Sequence, residues 1–327
     1  MLIVKRHHTN PYFNLAAEEY FLKKTNEDIF MLWRNEPAII VGKHQNTLSE
    51  INIDYVKENN IHIVRRLTGG GAVFHDLGNL NFTFIQSNQD HTLNDFRKYT
   101  EPILAVLQGL GIDARFEGRN DLTIEGKKFS GNAEMVWKNR VLHHGTLLFS
   151  ALITDLSQAL KVNDAKFQDK AVKSVRSRVT NISGHLSQPM DVMQFSELIE
   201  SYIKSMYPDA RFYELNQEDE HIINEMVQSK YNTWDWNFGS SPAYNFRKVV
   251  RTENSGTIEF CMDVQNGMIV RTRIFGDYFS QSDPKEIEAV LANIPHEETA
   301  IRDAVAPFEI TSYFSKLTVD ELVKGLF

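Results

Sequence analysis

The 327-residue chain holds one cysteine, Cys261, so no intrachain disulfide can form, and a reducing, cytoplasmic setting is the natural expectation. No apolar run approaches the length of a membrane span. The opening MLIVKRHHTN has only four apolar residues before Lys5, too few for the apolar core of a signal peptide. Internal repeats, low-complexity tracts and long charge blocks are missing as well. So is an excess of basic residues: 35 Lys and Arg against 43 Asp and Glu leave a net charge of −8. That balance argues against wholesale nucleic-acid binding, which needs a basic face. What is present is an ordinary globular composition, 42% hydrophobic and 24% charged. The length exceeds what one core usually serves, so a large and a small domain are expected.

The patterning fits an α+β fold. Asn14 can cap a helix LAAEEYFLKK, and DIFMLW and AIIVG read as short strands. IHIVRRL (61–67) reads as a strand running into a glycine cluster, with AVFH and NLNFTFIQ as strands on either side of a turn. Residues 92–110 look helical, Pro102 being placed to start a second helix. Residues 191–206 and 218–230 fit amphipathic helices. WDWNFGSSPAYNF (234–246) has the Gly, Ser and Pro of a boundary, which divides the chain into 1–245 and 246–327. Beyond it, Asn266-Gly267 predicts a tight hairpin. Thr318 with Glu321 predicts a capping box on the last helix.

RRLTGGGAVFHDLGN (65–79) places three glycines after a strand. Glycine tolerates positive φ and lets backbone N–H groups approach a ligand, and such a nest suits an anion. Arg65 and Arg66 add positive charge at its entrance. The loop is neither a P-loop nor a dinucleotide fingerprint, and a plain hairpin connection is the alternative. His75 and Asp76 are adjacent in a strand and point to opposite faces, so they form no direct dyad. His75 instead lines a pocket or makes a structural hydrogen bond.

GRNDLTIEGKKFSGNA (118–133) permits a register argument. With Glu125-Gly126 as a two-residue turn, Ile124 pairs with Lys127, Thr123 with Lys128, Leu122 with Phe129 and Asp121 with Ser130. Asp121, Thr123, Lys128 and Ser130 then share a polar face, opposite Leu122, Ile124 and Phe129. That face is either a solvated surface or a site; as a site, it offers Lys128 as the cation and Asp121 as an Mg²⁺ ligand.

These blocks, together with HHGTLLF (143–149), KSVRSRVTN (173–181) and WDWNFG (234–239), resemble bacterial lipoate–protein ligases in order and spacing. The resemblance covers nearly all of the large domain. It implies a large mixed-sheet domain of the lipoate/biotin protein ligase type, holding lipoate and ATP in residues 1–245, and a small α+β accessory domain in 246–327. It implies an ATP- and Mg²⁺-dependent ligase that makes lipoyl-AMP and passes the lipoyl group to a lysine of apo lipoyl domains. The acceptors implied are acyltransferase components of 2-oxo-acid dehydrogenase complexes and the glycine cleavage carrier protein, with no nucleic-acid or membrane partner.

By the same resemblance Lys128 is the catalytic residue. Arg66, Gly69, Gly70, Gly71, Ala72, Val73, Phe74 and His75 bind ATP and lipoate, and Asp121 holds the metal. Ser174, Val175, Arg176, Ser177, Arg178, Val179, Thr180 and Asn181 form the loop that closes over the adenylate. His143 and His144 diverge on a strand and show no zinc-site spacing, so His144, Gly145 and Thr146 are assigned to the acyl pocket. The competing readings are an octanoyl or lipoyl transferase of the same fold, a biotin–protein ligase, and a non-catalytic module that binds acyl-adenylate or lipoyl domains. The transferase commonly needs a cysteine nucleophile, and Cys261 falls in the small domain.

Overall fold

In a computed structural model, residues 1–87, 95–118, 120–152, 159–160, 179–252, 256–276, 282–314 and 317–327 are described. They divide between two compact units. One holds those within Met1–Lys43, Asn52–Leu160 and Ser174–Thr233, and the other those within His44–Ile51 and Trp234–Phe327. The smaller unit thus begins at Trp234, ahead of the expected boundary at 245. It also takes in His44–Ile51, because Thr47 Oγ1 donates to Asn237 O at 2.6 Å.

The larger unit opens with β1 (Leu2–Lys5), α1 (Pro11–Lys24), β2 (Ile29–Trp33), β3 (Ala38–Val41), β4 (His62–Arg65), β5 (Val73–His75) and β6 (Asn79–Ser87). It continues through a helix at Phe96–Gly109, then β7 (Ala114–Glu117), β8 (Asp121–Ile124), β9 (Lys127–Trp137), β10 (Arg140–Leu148) and, after a helix at Val192–Met206, β11 (Arg211–Glu214). Eight strands form one mixed sheet in the order β11-β1-β2-β6-β10-β9-β8-β7, and β4-β3-β5 form a small second sheet. β5 and β6 therefore do not pair as a hairpin: β5 runs antiparallel to β3, and β6 lies between β2 and β10. The apolar face of the large sheet, with Phe30, Phe82, Phe84, Leu122 and Phe129, packs under the two long helices through Ile103, Leu107, Phe195, Ile199 and Ile203. This interdigitated layer is the main core.

Two local readings need correction. Helix α1 is capped by Asn10, whose side chain accepts from Phe13 N, with Pro11 in the first turn. Asn14 lies inside the helix, buried and bonded to His8 O, Arg34 O and Asn35. Residues 96–109 form one helix capped by Asp95, with Pro102 inside it and buried against the core. The C-terminal end of α1 is held by Arg140, which donates to Phe21 O at 2.8 Å and to Thr25 O, carbonyls at the helix end, and to Glu27 O just beyond it.

The smaller unit is built on the antiparallel order β12 (Tyr244–Thr252), β13 (Gly256–Gln265), β14 (Met268–Gly276) and β15 (Ile294–Pro295). Gln265 pairs with Met268 around Asn266 (φ 51°) and Gly267 (φ 72°), the two-residue turn expected. Thr318 and Glu321 form the expected capping box. Among the described residues no helix is long and apolar enough to cross a membrane.

Candidate active site

Arg66 organises the glycine loop from within. Its side chain is buried, and burial pulls its pKa down to about 10, so it stays charged at neutral pH. Nη2 donates to Gly69 O at 2.7 Å and Gly71 O at 2.9 Å, Nη1 to Ile40 O at 3.1 Å, and Nε to Thr68 Oγ1 at 3.0 Å. Within a planar trans peptide the C=O and N–H point opposite ways. Holding the carbonyls of Gly69 and Gly71 therefore aims the N–H groups of Gly70 and Ala72 away from the guanidinium. Among the described residues the N–H groups of Gly69, Gly70, Gly71 and Ala72 donate to no protein acceptor. Gly70 sits at φ +97°, and a Cβ there would meet Arg66 Nη2 at 2.9 Å, so both backbone and space call for glycine.

The charge expected at the mouth of the loop is thus placed beneath it. Arg65 is likewise buried and donates to Gly42 O at 2.9 Å. Arg6, half-buried, donates to Asn14. Of the other loop residues, Ala72 and Phe74 are buried and Val73 half-buried. His75 is buried, and Asn35 Nδ2 donates to its Nδ1 at 3.1 Å. That bond leaves the proton on Nε2, which has no hydrogen-bond partner among the described residues. Burial, then Arg66, then His144 push the His75 pKa down to about 3. Asp76 turns away and accepts from Gly78 N and Leu152 N.

The lysine hairpin forms with the expected turn: Glu125 (φ 52°) and Gly126 (φ 69°) join Ile124↔Lys127 and Thr123↔Lys128. A β-bulge between Leu122 and Thr123 then shifts the register, so Leu122 faces Ser130 and Asp121 faces Gly131. Ser130 is buried, with Oγ accepting from Asn132, and does not join Asp121. Lys128 Nζ does reach Asp121 Oδ1, at 2.7 Å. It can do so because Gly131 has no side chain: a Cβ there would lie 3.2 Å from both Cε and Nζ of Lys128.

Strand β10 ties the two halves together. His144 Nε2 is hydrogen-bonded to Thr68 Oγ1 at 2.8 Å, at the base of the glycine loop. Two residues on, roughly 6.6 Å along a strand, Thr146 Oγ1 accepts from Gly131 N at 3.3 Å, beside Lys128. Between them, Gly145 packs against Phe82 and Asn132 with no room for a Cβ. His143 alternates to the other side, its ring stacked on Tyr99 at 4.8 Å and bonded to Glu134 at 2.8 Å. Residues 174–178 of the expected closing loop lie outside the described residues. Val179 bridges to Lys128, Thr180 N donates to Lys128 O at 2.9 Å, and the Asn181 amide bonds both N and O of Ala151.

Sequence reasoning missed Glu18, Asn35, Thr83 and Gly131. For Glu18 a signal existed: it stands in α1 among Leu15, Ala16, Ala17, Phe21 and Leu22, a setting where a carboxylate must find a buried partner.

The chain matches two family models in order: the lipoyl protein ligase A/B catalytic domain over residues 10–204 and the bacterial lipoate protein ligase C-terminus over 241–326. It is 40% identical to lipoate–protein ligase 1 of Staphylococcus aureus, over 97% of this chain and 96% of that one. It is 39% identical to lipoate-protein ligase LplJ of Bacillus subtilis, over 99% of each. Among solved structures it is similar to a bipartite lipoate protein ligase of Thermoplasma acidophilum described with its E2 lipoyl domain. The TM-score is 0.65 at 32% identity, over 73% of this chain and 96% of that one. It is also similar to P. falciparum LipL1 in complex with lipoate, with a TM-score of 0.63 at 27% identity over 94% of each. A third neighbour is lipoate-protein ligase A bound with ATP, with a TM-score of 0.65 at 27% identity, over 73% of this chain and 98% of that one.

Proposed function

This chain belongs to the lipoate–protein ligase family, and from that premise we propose that it couples lipoate to protein lysines in two steps at the site formed by Lys128 and the glycine loop. In the first, a lipoate carboxylate oxygen attacks the α-phosphorus of ATP. The bond to the β-phosphate breaks, and lipoyl-AMP and pyrophosphate form. In the second, the amine of an acceptor lysine attacks the mixed-anhydride carbonyl, AMP leaves, and the amine gives up a proton.

The observation that carries this reading is the placement of Lys128. Two anions must meet in the first step, and an ammonium between them offsets their repulsion and stabilises the charge on the transferring phosphoryl group. Lys128 lies over Gly131, beside the strand whose His144 supports the glycine loop. The N–H groups aimed outward from residues 70 and 72, above buried Arg66, suit phosphate or carboxylate oxygens. Val73, Phe74 and His75 continue from them, and His144, Gly145 and Thr146 complete the wall for the acyl chain. Asp121 fits a magnesium site, since Mg²⁺ takes one or two carboxylates with substrate phosphates. Bound there, the ion would neutralise the polyphosphate. Thr180, bonded to Lys128 O, and Asn181 stand beside the site, where they would help to keep the adenylate from water.

The acceptors are lipoyl domains, specifically those of 2-oxo-acid dehydrogenase acyltransferase components and the glycine cleavage carrier protein, in the cytoplasm. The transferase alternative would use Cys261. It stands on β13 of the smaller unit, where burial and then Glu259 push its thiol up, the opposite of what a thiolate nucleophile requires. Mass spectrometry of an apo lipoyl domain incubated with enzyme, lipoate and MgATP tests the reading. One lipoyl group gained only with ATP is expected; transfer without ATP, or none, would overturn it.

A further inference from the structure

Beneath the glycine loop runs a buried chain of hydrogen bonds that ends on one carboxylate. It begins at Arg66 Nε, which can only donate, and Thr68 Oγ1 accepts from it at 3.0 Å. The Thr68 hydroxyl, fully buried, lies 2.8 Å from His144 Nε2. His144 Nδ1 faces the Glu18 carboxylate, which only accepts, so it carries a proton and donates at 3.0 Å to Oε1 and 3.1 Å to Oε2; with the ring's one proton there, Nε2 accepts from Thr68. From the other side, Trp33 Nε1, again only a donor, gives to Thr83 Oγ1 at 2.9 Å, and Thr83 gives to Glu18 Oε1 at 2.6 Å. Two donor-only groups at the ends drive every proton toward one buried carboxylate, the sole group of the set that only accepts. Glu18 is 3% exposed, so leaving any of these bonds unmade would strand a polar group without water.

We infer that Glu18 is a positioning residue for nucleotide binding: through His144 and Thr68 it fixes the Arg66 guanidinium, which in turn holds the Gly69 and Gly71 carbonyls inward and the Gly70 and Ala72 N–H groups outward. The ligand served is an oxyanion of ATP, and the inference rests on the ligase reading above. A carboxylate is needed because an amide at position 18 could itself donate to His144 Nδ1. The imidazole would then turn its proton toward Thr68, Thr68 would lose its acceptor, and the Arg66 Nε bond would have to compete for a reoriented hydroxyl.

The test uses the full chain with Glu18→Gln, Thr68→Val and Thr68→Ser. ATP binding is titrated calorimetrically without lipoate, and the ring nitrogens of His144 are read by ¹⁵N NMR on histidine-labelled protein. Glu18→Gln is expected to weaken ATP binding about tenfold, the worth of one charge-assisted hydrogen bond. It should also move His144 from the Nδ1–H to the Nε2–H tautomer, a readout that mere loss of packing would not give. Thr68→Val, which leaves Glu18 intact, is expected to weaken ATP binding equally, and Thr68→Ser to restore most of that loss. If Glu18→Gln fails to fold, the Thr68 pair decides alone. Wild-type ATP affinity in Thr68→Val, or an unchanged tautomer in a folded Glu18→Gln, overturns the inference. A wild-type protein that binds ATP yet fails to lipoylate an acceptor would overturn the ligase reading instead.

Discussion

Lys128 Nζ lies 2.7 Å from Asp121 Oδ1 across the β8–β9 hairpin, with the two side chains 30% and 33% exposed. A pair this open to water contributes little to stability, typically about 0–1 kcal/mol. What it does is hold the ammonium extended over Gly131, where a phosphoryl group can take over the pairing.

Gly131→Ala tests that placement. The added methyl meets Lys128 Cε and Nζ at 3.2 Å, the flexible end of a side chain rather than backbone. The protein should fold with a nearly unchanged melting temperature, while a displaced ammonium lowers kcat for lipoyl-AMP formation about 10- to 100-fold. Pyrophosphate release against thermal melting checks the two together.

Gly145→Ala has the opposite profile. Its methyl would be driven into Phe82 Cε1 at 2.5 Å and into Asn132, both held in the sheet. Overpacking of this kind costs about 1–3 kcal/mol, so the denaturation midpoint in urea should fall clearly.

Asp121→Asn removes the carboxylate proposed to hold Mg²⁺ while keeping its shape. The Mg²⁺ concentration for half-maximal pyrophosphate release should rise about tenfold, as expected when one charged ligand of such a site is lost, with the KM for lipoate little changed. Titration with MgCl₂ at fixed ATP measures it.

Buried histidine sets a pH limit. His296 donates Nε2–H to Leu326 O at 2.6 Å, and burial lowers its pKa from 6.5 to about 4. The unfolded chain takes up this proton first. The stabilisation is complete above pH 6.5, declines as pH falls through the window down to about 4, and amounts to about 3 kcal/mol. His75 acts in the same direction down to about 3. Urea midpoints should therefore fall between pH 6.5 and 4, and His296→Gln should flatten the slope.

The features legible in the chain were those set by neighbours in sequence. The hairpin turns at Glu125-Gly126 and Asn266-Gly267 follow from Gly126, Asn266 and Gly267, which accept positive φ, and the Thr318–Glu321 cap follows from a three-residue spacing. The bulge at Leu122/Thr123 was not legible, because it inserts a residue without changing the alternation near the turn; Ser130 was misplaced on that account. The separation of β5 from β6 depends on β3 arriving to pair with β5, a long-range event. The inward turn of Arg66 and its link to Glu18 join residues 18, 66, 68 and 144, which no local pattern connects.

The most direct measurement of the central claim is pyrophosphate release by wild type and Lys128→Ala with lipoate and MgATP and no acceptor protein. Wild type should form lipoyl-AMP, and Lys128→Ala, folded as judged by its melting curve, should be slower by about 100- to 1,000-fold, the usual effect of losing one preorganised charge from such a site. Lipoyl-AMP formed by Lys128→Ala at the wild-type rate would contradict the account.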